Sequence, residues 1–157
     1  MKNRFLTISL LVFFVAAGID KGIAQVTPLA TAVSGLKYPW KEAELMEPAN
    51  LAAAIKSGTA KITILNIGAV EDLPGAIHIG AVNETENMIK LKKTLEGLSK
   101  EKPIVIYCGC CPFTKCPNIQ PAYLELKKSG FTQIRVLNLP TNLHTNWIAK
   151  GYPLAKN

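Results

Sequence analysis

Residues 103–116 have the sequence PIVIYCGCCPFTKC, and this stretch is the most informative one about the fold class. Its first part, from Ile104 to Tyr107, is a continuous apolar run, which is typical of a strand buried on both faces of a parallel sheet. All four cysteines of the chain follow within nine residues, and a helix is predicted from Pro121 to Lys128. The cysteines therefore lie in a strand-to-helix turn, where free backbone N–H groups and the helix dipole lower the pKa of a thiol. We expect the chemistry of the protein at this turn.

Predicted strands and helices alternate along the rest of the chain. The strands are residues 61–67, 76–79 and 134–137, and the helices are residues 48–58, 87–98 and 147–150. Because the strands are apolar on both faces, this alternation predicts one α/β domain, with a mainly parallel central sheet and helices on both faces. Ligands of such sheets bind beyond the carboxyl ends of the strands. Cys108, the first residue after a strand, falls at this position.

The first residues have the pattern of an export signal. Lys2 and Arg4 precede an apolar run over residues 5–17, and small residues follow at positions 22 and 24. The run is shorter than the roughly 20 residues of a membrane-spanning helix, and the whole pattern is that of a cleaved signal peptide. We therefore expect three segments: a signal peptide over residues 1–24, an N-terminal extension over residues 25–47 and a domain over residues 48–154. The expected location is periplasmic or secreted, with no membrane attachment after cleavage.

The charge distribution argues against a nucleic-acid partner. The chain has a formal net charge of +7, but its lysines are dispersed over predicted helical faces, without the interleaved aromatic side chains of a nucleic-acid interface. Such a surface is solvated and attracts small anions. We expect small-molecule partners and no nucleic acid, and the sequence indicates no particular protein partner.

Segments spread over residues 48–154 carry a resemblance to a known family. They are Ile64–Gly68 followed by Asp72–Ile77, then Ile104–Cys108, then Leu126–Gly130 with Val136–Leu137, and finally Trp147 with Gly151–Pro153. In this order they resemble the first strand, the Pro-Gly-Ala-Ile segment, the strand before the catalytic cysteine and the closing elements of rhodaneses, a family of sulfurtransferase domains. The order and spacing of the segments indicate a rhodanese-like domain.

The resemblance implies a two-step sulfur transfer. In rhodaneses a cysteine thiolate takes a sulfane sulfur from a small anion such as thiosulfate and becomes a persulfide. It then passes the sulfur to a thiophilic acceptor such as cyanide or a thiol. Cys108 matches this nucleophile by its position after the strand, and Gly109 lets the following backbone turn so that N–H groups converge on the sulfur. No cofactor is expected for this chemistry.

The active-site loop departs from the family pattern. It is several residues longer than in rhodaneses, and it contains no arginine. Lys115 is the nearest cation in the sequence, but an ammonium group cannot form the bidentate hydrogen bonds that a guanidinium makes with an oxyanion. Asn66 and Gly68 stand where the family has an aspartate and an arginine at the end of the first strand. These differences leave the sulfur donor open.

The additional cysteines allow three other interpretations. Cys108 and Cys111 form a C-x-x-C pair, the spacing of dithiol redox proteins, in which a second thiol resolves a persulfide on the first. Cys116 is able to form a structural disulfide with Cys110 or with Cys111. A cluster of four thiolates also suits Cu(I), zinc or an iron–sulfur centre, held on a non-catalytic scaffold. Gly109, the three later cysteines and Lys115 are thus candidates to shape the loop, resolve Cys108 or stabilise an anion.

The two histidines have different predicted roles. His78 lies within the strand predicted over residues 76–79, and we expect a hydrogen-bonded structural residue there. His144 lies in the segment that in rhodaneses approaches the active loop. It is therefore a candidate to supply a proton or a positive charge near Cys108.

Overall fold

The computed structural model describes residues 38–58 and 61–156. The predicted signal peptide and most of the predicted extension lie outside the described residues. The strands are β1 (Leu45–Met46), β2 (Thr63–Asn66), β3 (Ala76–His78), β4 (Ile104–Tyr107) and β5 (Ile134–Leu137). The α-helices are α1 (Pro48–Ser57), α2 (Thr85–Glu96), α3 (Ile119–Lys128) and α4 (Leu143–Asn146), and short 3-10 helices cover Glu42–Glu44, Phe113–Lys115 and Ile148–Lys150.

The strands form one parallel sheet in the order β1-β5-β4-β2-β3. The central strand β4 pairs with β2, where Tyr107 lies opposite Asn66, and with β5, where Ile106 lies opposite Val136. Because all the strands are parallel, their carboxyl ends lie at one edge of the sheet. Cys108 follows β4 at this edge. The predicted α/β fold with a parallel sheet is confirmed.

Helices cover both faces of the sheet, as predicted. Side chains along β4 alternate between two hydrophobic clusters, Ile104 and Ile106 in the first, Val105 and Tyr107 in the second. The first cluster contains the buried residues of α2 and α3, namely Leu91, Leu95, Ile119, Ala122, Tyr123 and Leu126, and the second contains those of α1 and α4, namely Leu51, Ala52 and Leu143. Since each buried aliphatic side chain stabilises the fold by about 1.5–3 kcal/mol, packing on both faces fixes the position of β4 and of the turn that follows it.

The edge strand β1 lies within the segment that the sequence indicates as an extension. Leu45 and Met46 pair with β5, and Trp40 is buried against Phe113 and Tyr123. A two-residue strand is too short to show a period, which is why the sequence pattern does not reveal it. The sheet therefore begins before residue 48.

The ends of the helices differ from the predicted ones by at most two residues. The predicted closing helix at residues 147–150 is a 3-10 helix, Ile148–Lys150, and the preceding helix α4 is an element that the sequence did not predict. Asn142 starts α4, because its side-chain Oδ1 accepts a hydrogen bond of 2.7 Å from the backbone N–H of Thr145. Among the described residues, the helices are all too short or too polar to cross a membrane.

Candidate functional site

A tight turn follows β4 and positions Cys108. Gly109 has φ +79°, a left-handed conformation that favours glycine, and a Cβ atom there would lie 2.8 Å from the Cβ of Leu143. The backbone N–H of Leu143 donates a hydrogen bond of 2.8 Å to the carbonyl oxygen of Gly109. The start of α4 therefore packs directly on the turn, and only a glycine fits between them. This agrees with the loop-shaping role predicted for Gly109.

Three of the four cysteine sulfurs form a cluster at this turn. The Sγ atoms of Cys108, Cys110 and Cys116 all lie within 4.8 Å of one another. Those of Cys108 and Cys110 are 3.3 Å apart, and so are those of Cys110 and Cys111. Cys108 is 1% exposed and Cys116 is 7% exposed, whereas Cys110 is exposed and Cys111 is partly buried. All four cysteines are free thiols, and the disulfides of Cys116 considered above stay predictions.

Asn118 is a site residue that the sequence did not reveal. Its side chain is 4% exposed, its Nδ2 donates a hydrogen bond of 3.3 Å to Cys108 Sγ, and its Oδ1 accepts one of 2.9 Å from the N–H of Asn83. The N–H of Asn83 needs an acceptor, so it fixes which end of the amide faces the sulfur. Asparagine before a helix predicts a capping residue, but the side chain of Asn118 makes no capping bond to α3. The amide of Asn118 hydrogen-bonds Cys108 instead.

These contacts place the negative charge of the cluster on Cys108. The hydrogen bond from the Cys116 thiol, with further ones from Asn118 and from the backbone and side chain of Cys110, lowers the pKa of Cys108 from 9.0 to about 5, against the opposing effect of burial. Partial burial and the neighbouring thiols of Cys111 and Cys108 raise the pKa of Cys110 to about 12. The hydrogen bond to Cys108 and burial raise the pKa of Cys116 well above its ordinary range. The Cys108 thiolate thus accepts hydrogen bonds from two thiols, those of Cys110 and Cys116, that stay protonated.

The backbone after β2 passes so close to Cys108 that there is no room for a side chain at position 68. A Cβ atom on Gly68 would lie 2.4 Å from the carbonyl oxygen of Cys108 and 2.7 Å from its Sγ. Real Cβ atoms essentially never make such contacts. Gly68 stands where the resemblance leads one to expect an arginine. The structure therefore explains this departure, because the sulfur of Cys108 occupies the space in which that side chain would start.

Asn66 organises the loop after β2 without a charge of its own. It is fully buried, its Oδ1 accepts a hydrogen bond of 3.1 Å from the N–H of Gly68, and its Nδ2 donates bonds of 2.8 Å to Val70 O and to Asp72 Oδ1. His78 Nδ1 lies 3.0 Å from the same Asp72 oxygen. The predicted structural, hydrogen-bonded role of His78 agrees with these contacts. The neutral amide holds Gly68 against the active turn.

The structure does not join the two cationic candidates to the cluster. Lys115 is exposed on the 3-10 helix Phe113–Lys115, and His144 is exposed on α4. Within the part of the chain that the structure describes, no hydrogen bond links either side chain to a cysteine. Arg135, on β5, donates a hydrogen bond to the carbonyl oxygen of Ala43. The donors that surround Cys108 are therefore neutral thiols and amides.

No protein-family model and no curated protein matches this sequence. Solved structures do match the fold. The BH2092 protein from Bacillus halodurans is 23% identical with a TM-score of 0.54, over 71% of this chain and 75% of that one. A protein from Lactobacillus plantarum is 19% identical with a TM-score of 0.54, over 73% of this chain and 89% of that one.

A third structure, that of EanB, was described as a cysteine persulfide in a tetrahedral intermediate state with ergothioneine. EanB is 16% identical with a TM-score of 0.53, over 71% of this chain and 28% of the EanB chain, so this chain spans little more than a quarter of EanB. At these identities the comparisons bear on the fold alone. They show that solved proteins share this α/β fold.

Proposed function

We propose that this protein is an exported, single-domain sulfurtransferase that carries sulfane sulfur as a persulfide on Cys108. The observation that carries the proposal is the convergence of hydrogen-bond donors on one buried sulfur. Asn118 Nδ2 and the thiol of Cys110 each lie 3.3 Å from Cys108 Sγ, and the thiol of Cys116 and the N–H of Cys110 also donate to it. A thiolate is the nucleophilic form of cysteine. A sulfur that is stabilised in this form at the carboxyl edge of a parallel sheet suits nucleophilic attack.

The proposed reaction has two steps. The Cys108 thiolate attacks the outer sulfur of a donor, a new S–S bond forms, and the bond between that sulfur and the donor breaks with its electron pair on the leaving group. Cys108 then carries a persulfide beside the donors that stabilised the thiolate. In the second step an acceptor thiolate attacks this outer sulfur, and Cys108 leaves as the thiolate. The low pKa of Cys108, about 5, makes it a good leaving group.

The neutral surroundings of Cys108 favour a persulfide or polysulfide as the donor. The sulfonate group of thiosulfate is bound most strongly by a cationic partner such as a guanidinium. The one arginine in the described ranges, Arg135, is bonded to Ala43, and Gly68 leaves no room for a second at the end of β2. Polysulfide anions place most of their charge on terminal sulfurs, which thiols and amides are able to hydrogen-bond. We therefore propose this donor class over thiosulfate.

Intact-mass measurement of the mature protein tests the proposal. The reduced, metal-free protein is incubated with inorganic polysulfide and separately with thiosulfate. We expect a gain of one sulfur atom from polysulfide, which fragmentation assigns to Cys108, and little gain from thiosulfate. Cys108→Ser should lose the stable persulfide, and Cys111→Ser, the matched control in the same loop, should keep it. A wild-type protein that takes no sulfur from either donor contradicts the proposal.

A second candidate function, binding of a soft metal ion, is supported by the sulfur cluster itself. Cys108, Cys110 and Cys116 place their sulfurs within 4.8 Å of one another. Metal–sulfur bonds of about 2.3 Å bring thiolates to roughly 3.8–4.0 Å, so the cluster fits a three-thiolate site with little movement. Thiolates select soft ions such as Cu(I). Metal analysis of the protein as purified tests this candidate: stoichiometric copper that blocks sulfur uptake would favour binding over transfer.

A further inference from the structure

The structure separates the proposed nucleophile from the accessible sulfur. Cys108 is 1% exposed, so a donor larger than a few atoms cannot reach its sulfur without opening the loop. Cys110 is exposed, and its Sγ lies 3.3 Å from that of Cys108. A direct sulfur–sulfur contact thus connects the solvent with the buried nucleophile.

We propose that Cys110 is a second catalytic cysteine, a relay that accepts sulfane sulfur from the solvent and exchanges it with Cys108. The inference rests on the proposed function, and it names the residue through which sulfur enters and leaves that site. In this arrangement Cys108 is the store, and Cys110 is the point at which donors and acceptors bind.

The relay step is an exchange of one persulfide for another. To load the site, the exposed thiol of Cys110 passes its proton to the Cys108 thiolate 3.3 Å away. The Cys110 sulfur then takes the outer sulfur of the donor persulfide, and the leaving donor thiolate takes that proton up from Cys108. The Cys108 thiolate then attacks that outer sulfur. The S–S bond to Cys110 breaks, its electron pair stays on Cys110 as a thiolate, and a new S–S bond forms on Cys108. Any proton on the outer sulfur moves with it, so charge and oxidation state balance, and unloading is the same step in reverse.

The hydrogen bonds around Cys108 support the return of sulfur from Cys108 to Cys110. Asn118 Nδ2 and the N–H of Cys110 donate to Cys108 Sγ, and they stabilise the thiolate that forms when the sulfur returns to Cys110. A stabilised leaving thiolate favours attack on the outer sulfur of the persulfide over attack on the inner one. Attack on the inner sulfur would instead release sulfide and join the two cysteines in a disulfide.

The positions of the other cysteines explain why Cys110 fills this role. Cys116 is 7% exposed, so it is as inaccessible as Cys108. Cys111 is partly buried, and its sulfur contacts Cys110 at 3.3 Å. Cys110 alone combines exposure with contact to Cys108. Sulfur therefore passes more directly between Cys108 and Cys110, the C-x-C pair, than between Cys108 and Cys111, the C-x-x-C pair that the sequence suggests for redox chemistry.

The experiment compares donors of two sizes on three proteins. Wild type, Cys110→Ser and Cys111→Ser are charged with glutathione persulfide, a bulky donor, and with inorganic polysulfide, a small one. Samples are quenched by alkylation at short times, and fragmentation locates the sulfur. We expect wild type to show the persulfide first on Cys110 and then on Cys108. In Cys110→Ser, charging of Cys108 by glutathione persulfide should be at least about tenfold slower, and charging by polysulfide should slow less. Cys111→Ser should match wild type.

The measurements distinguish a failure of the Cys110 relay from a failure of the proposed sulfurtransferase function. Ultraviolet absorbance of the thiolate shows whether Cys110→Ser still ionises Cys108, so that a slower reaction is not caused by a lost hydrogen bond alone. An unchanged rate with glutathione persulfide in Cys110→Ser would overturn the relay. So would a disulfide between Cys108 and Cys110 that forms with release of sulfide. If wild type takes sulfur from neither donor, the proposed function itself fails.

Discussion

Two regions of this molecule stabilise a negative charge, and they do it in different ways. Glu44, before β1, pairs with Lys127 Nζ at 3.0 Å and accepts hydrogen bonds of 2.8 Å from Tyr123 Oη and from the N–H of Lys41. Burial raises the pKa of Glu44, but these bonds outweigh it and lower the pKa to about 2. Cys108 is held by neutral donors, and its contacts lower the pKa of the thiol to about 5.

The difference between the two regions concerns what remains available for chemistry. A cation at 3.0 Å neutralises Glu44, and the pair fastens the segment before β1 to α3. The donors around Cys108 stabilise its charge without cancelling it, so the thiolate keeps its electron pair for an electrophilic sulfur. The same feature weakens the attraction for an oxyanion donor.

The pH dependence of sulfur uptake should distinguish Cys108 from an ordinary cysteine most clearly. Because the pKa of Cys108 is lowered from 9.0 to about 5, we expect the uptake rate to be nearly constant from neutral pH down to about pH 6, and to fall around pH 5. Pseudo-first-order charging by polysulfide, monitored by intact mass at each pH, measures this profile. A midpoint between pH 8 and 9, that of an unperturbed thiol, would show that the cluster does not hold a thiolate.

The same pKa shift has a consequence for stability. A group with a lowered pKa contributes stability that is complete above its unfolded pKa and is lost as the pH falls through its folded pKa. For Cys108 this window runs from about pH 9 down to about pH 5. Cys110, with a pKa raised to about 12, contributes stability below pH 9 that is lost as the pH rises toward 12. Denaturant unfolding should therefore show the largest contribution of the cluster near pH 9.

Asn118→Ala should weaken the thiolate next most strongly. The change removes the amide donor from Cys108 and leaves the N–H of Asn83 without its acceptor. Hydrogen bonds to charged groups contribute about 1.5–3 kcal/mol. Because the wild-type thiol is already ionised at pH 6, we expect sulfur uptake at that pH to fall by roughly 2- to 15-fold. Asn142→Ala, which removes the cap of α4, is the matched control. It should lower stability and leave the pH midpoint of uptake in place, and equal midpoint shifts in both variants would contradict the role of Asn118.

Gly68→Ala tests the close approach of β2 to the active turn. The added Cβ would meet Cys108 O at 2.4 Å, whereas in Gly97→Ala the nearest atom, Thr94 O, is 3.8 Å away. Overpacking of this kind costs about 1–3 kcal/mol, so Gly68→Ala should unfold at lower denaturant concentration and Gly97→Ala should not. Equal midpoints for the two variants would show that the turn has room at position 68.

Local patterns in the sequence predicted the sheet, because β4 is an apolar run, β5 is apolar apart from Arg135 and α2 has helical spacing. They also indicated the candidate site, since a strand end followed by clustered cysteines is a local pattern. They did not predict the surroundings of Cys108. Asn118 interacts with Asn83, which is 35 residues away in the sequence. Gly68, which follows β2, lies against Cys108, which follows the neighbouring strand β4. Such contacts depend on how segments far apart in the sequence pack against each other. An asparagine before a helix or a glycine after a strand is equally typical of a cap or a turn, so the residue type alone does not reveal the contact.

Glu44→Gln should have the smallest effect, and it completes the comparison between the two regions. The variant keeps the shape of the side chain but removes the charge that pairs with Lys127. Because Lys127 is 40% exposed, solvent screens the pair, and we expect a loss of less than about 1 kcal/mol, smaller still at high salt. Sulfur uptake and its pH midpoint should stay at wild-type values. A shifted midpoint would mean that the charge on Cys108 depends on ion pairs elsewhere in the domain, and the neutral donors around it would then not suffice to explain its ionisation.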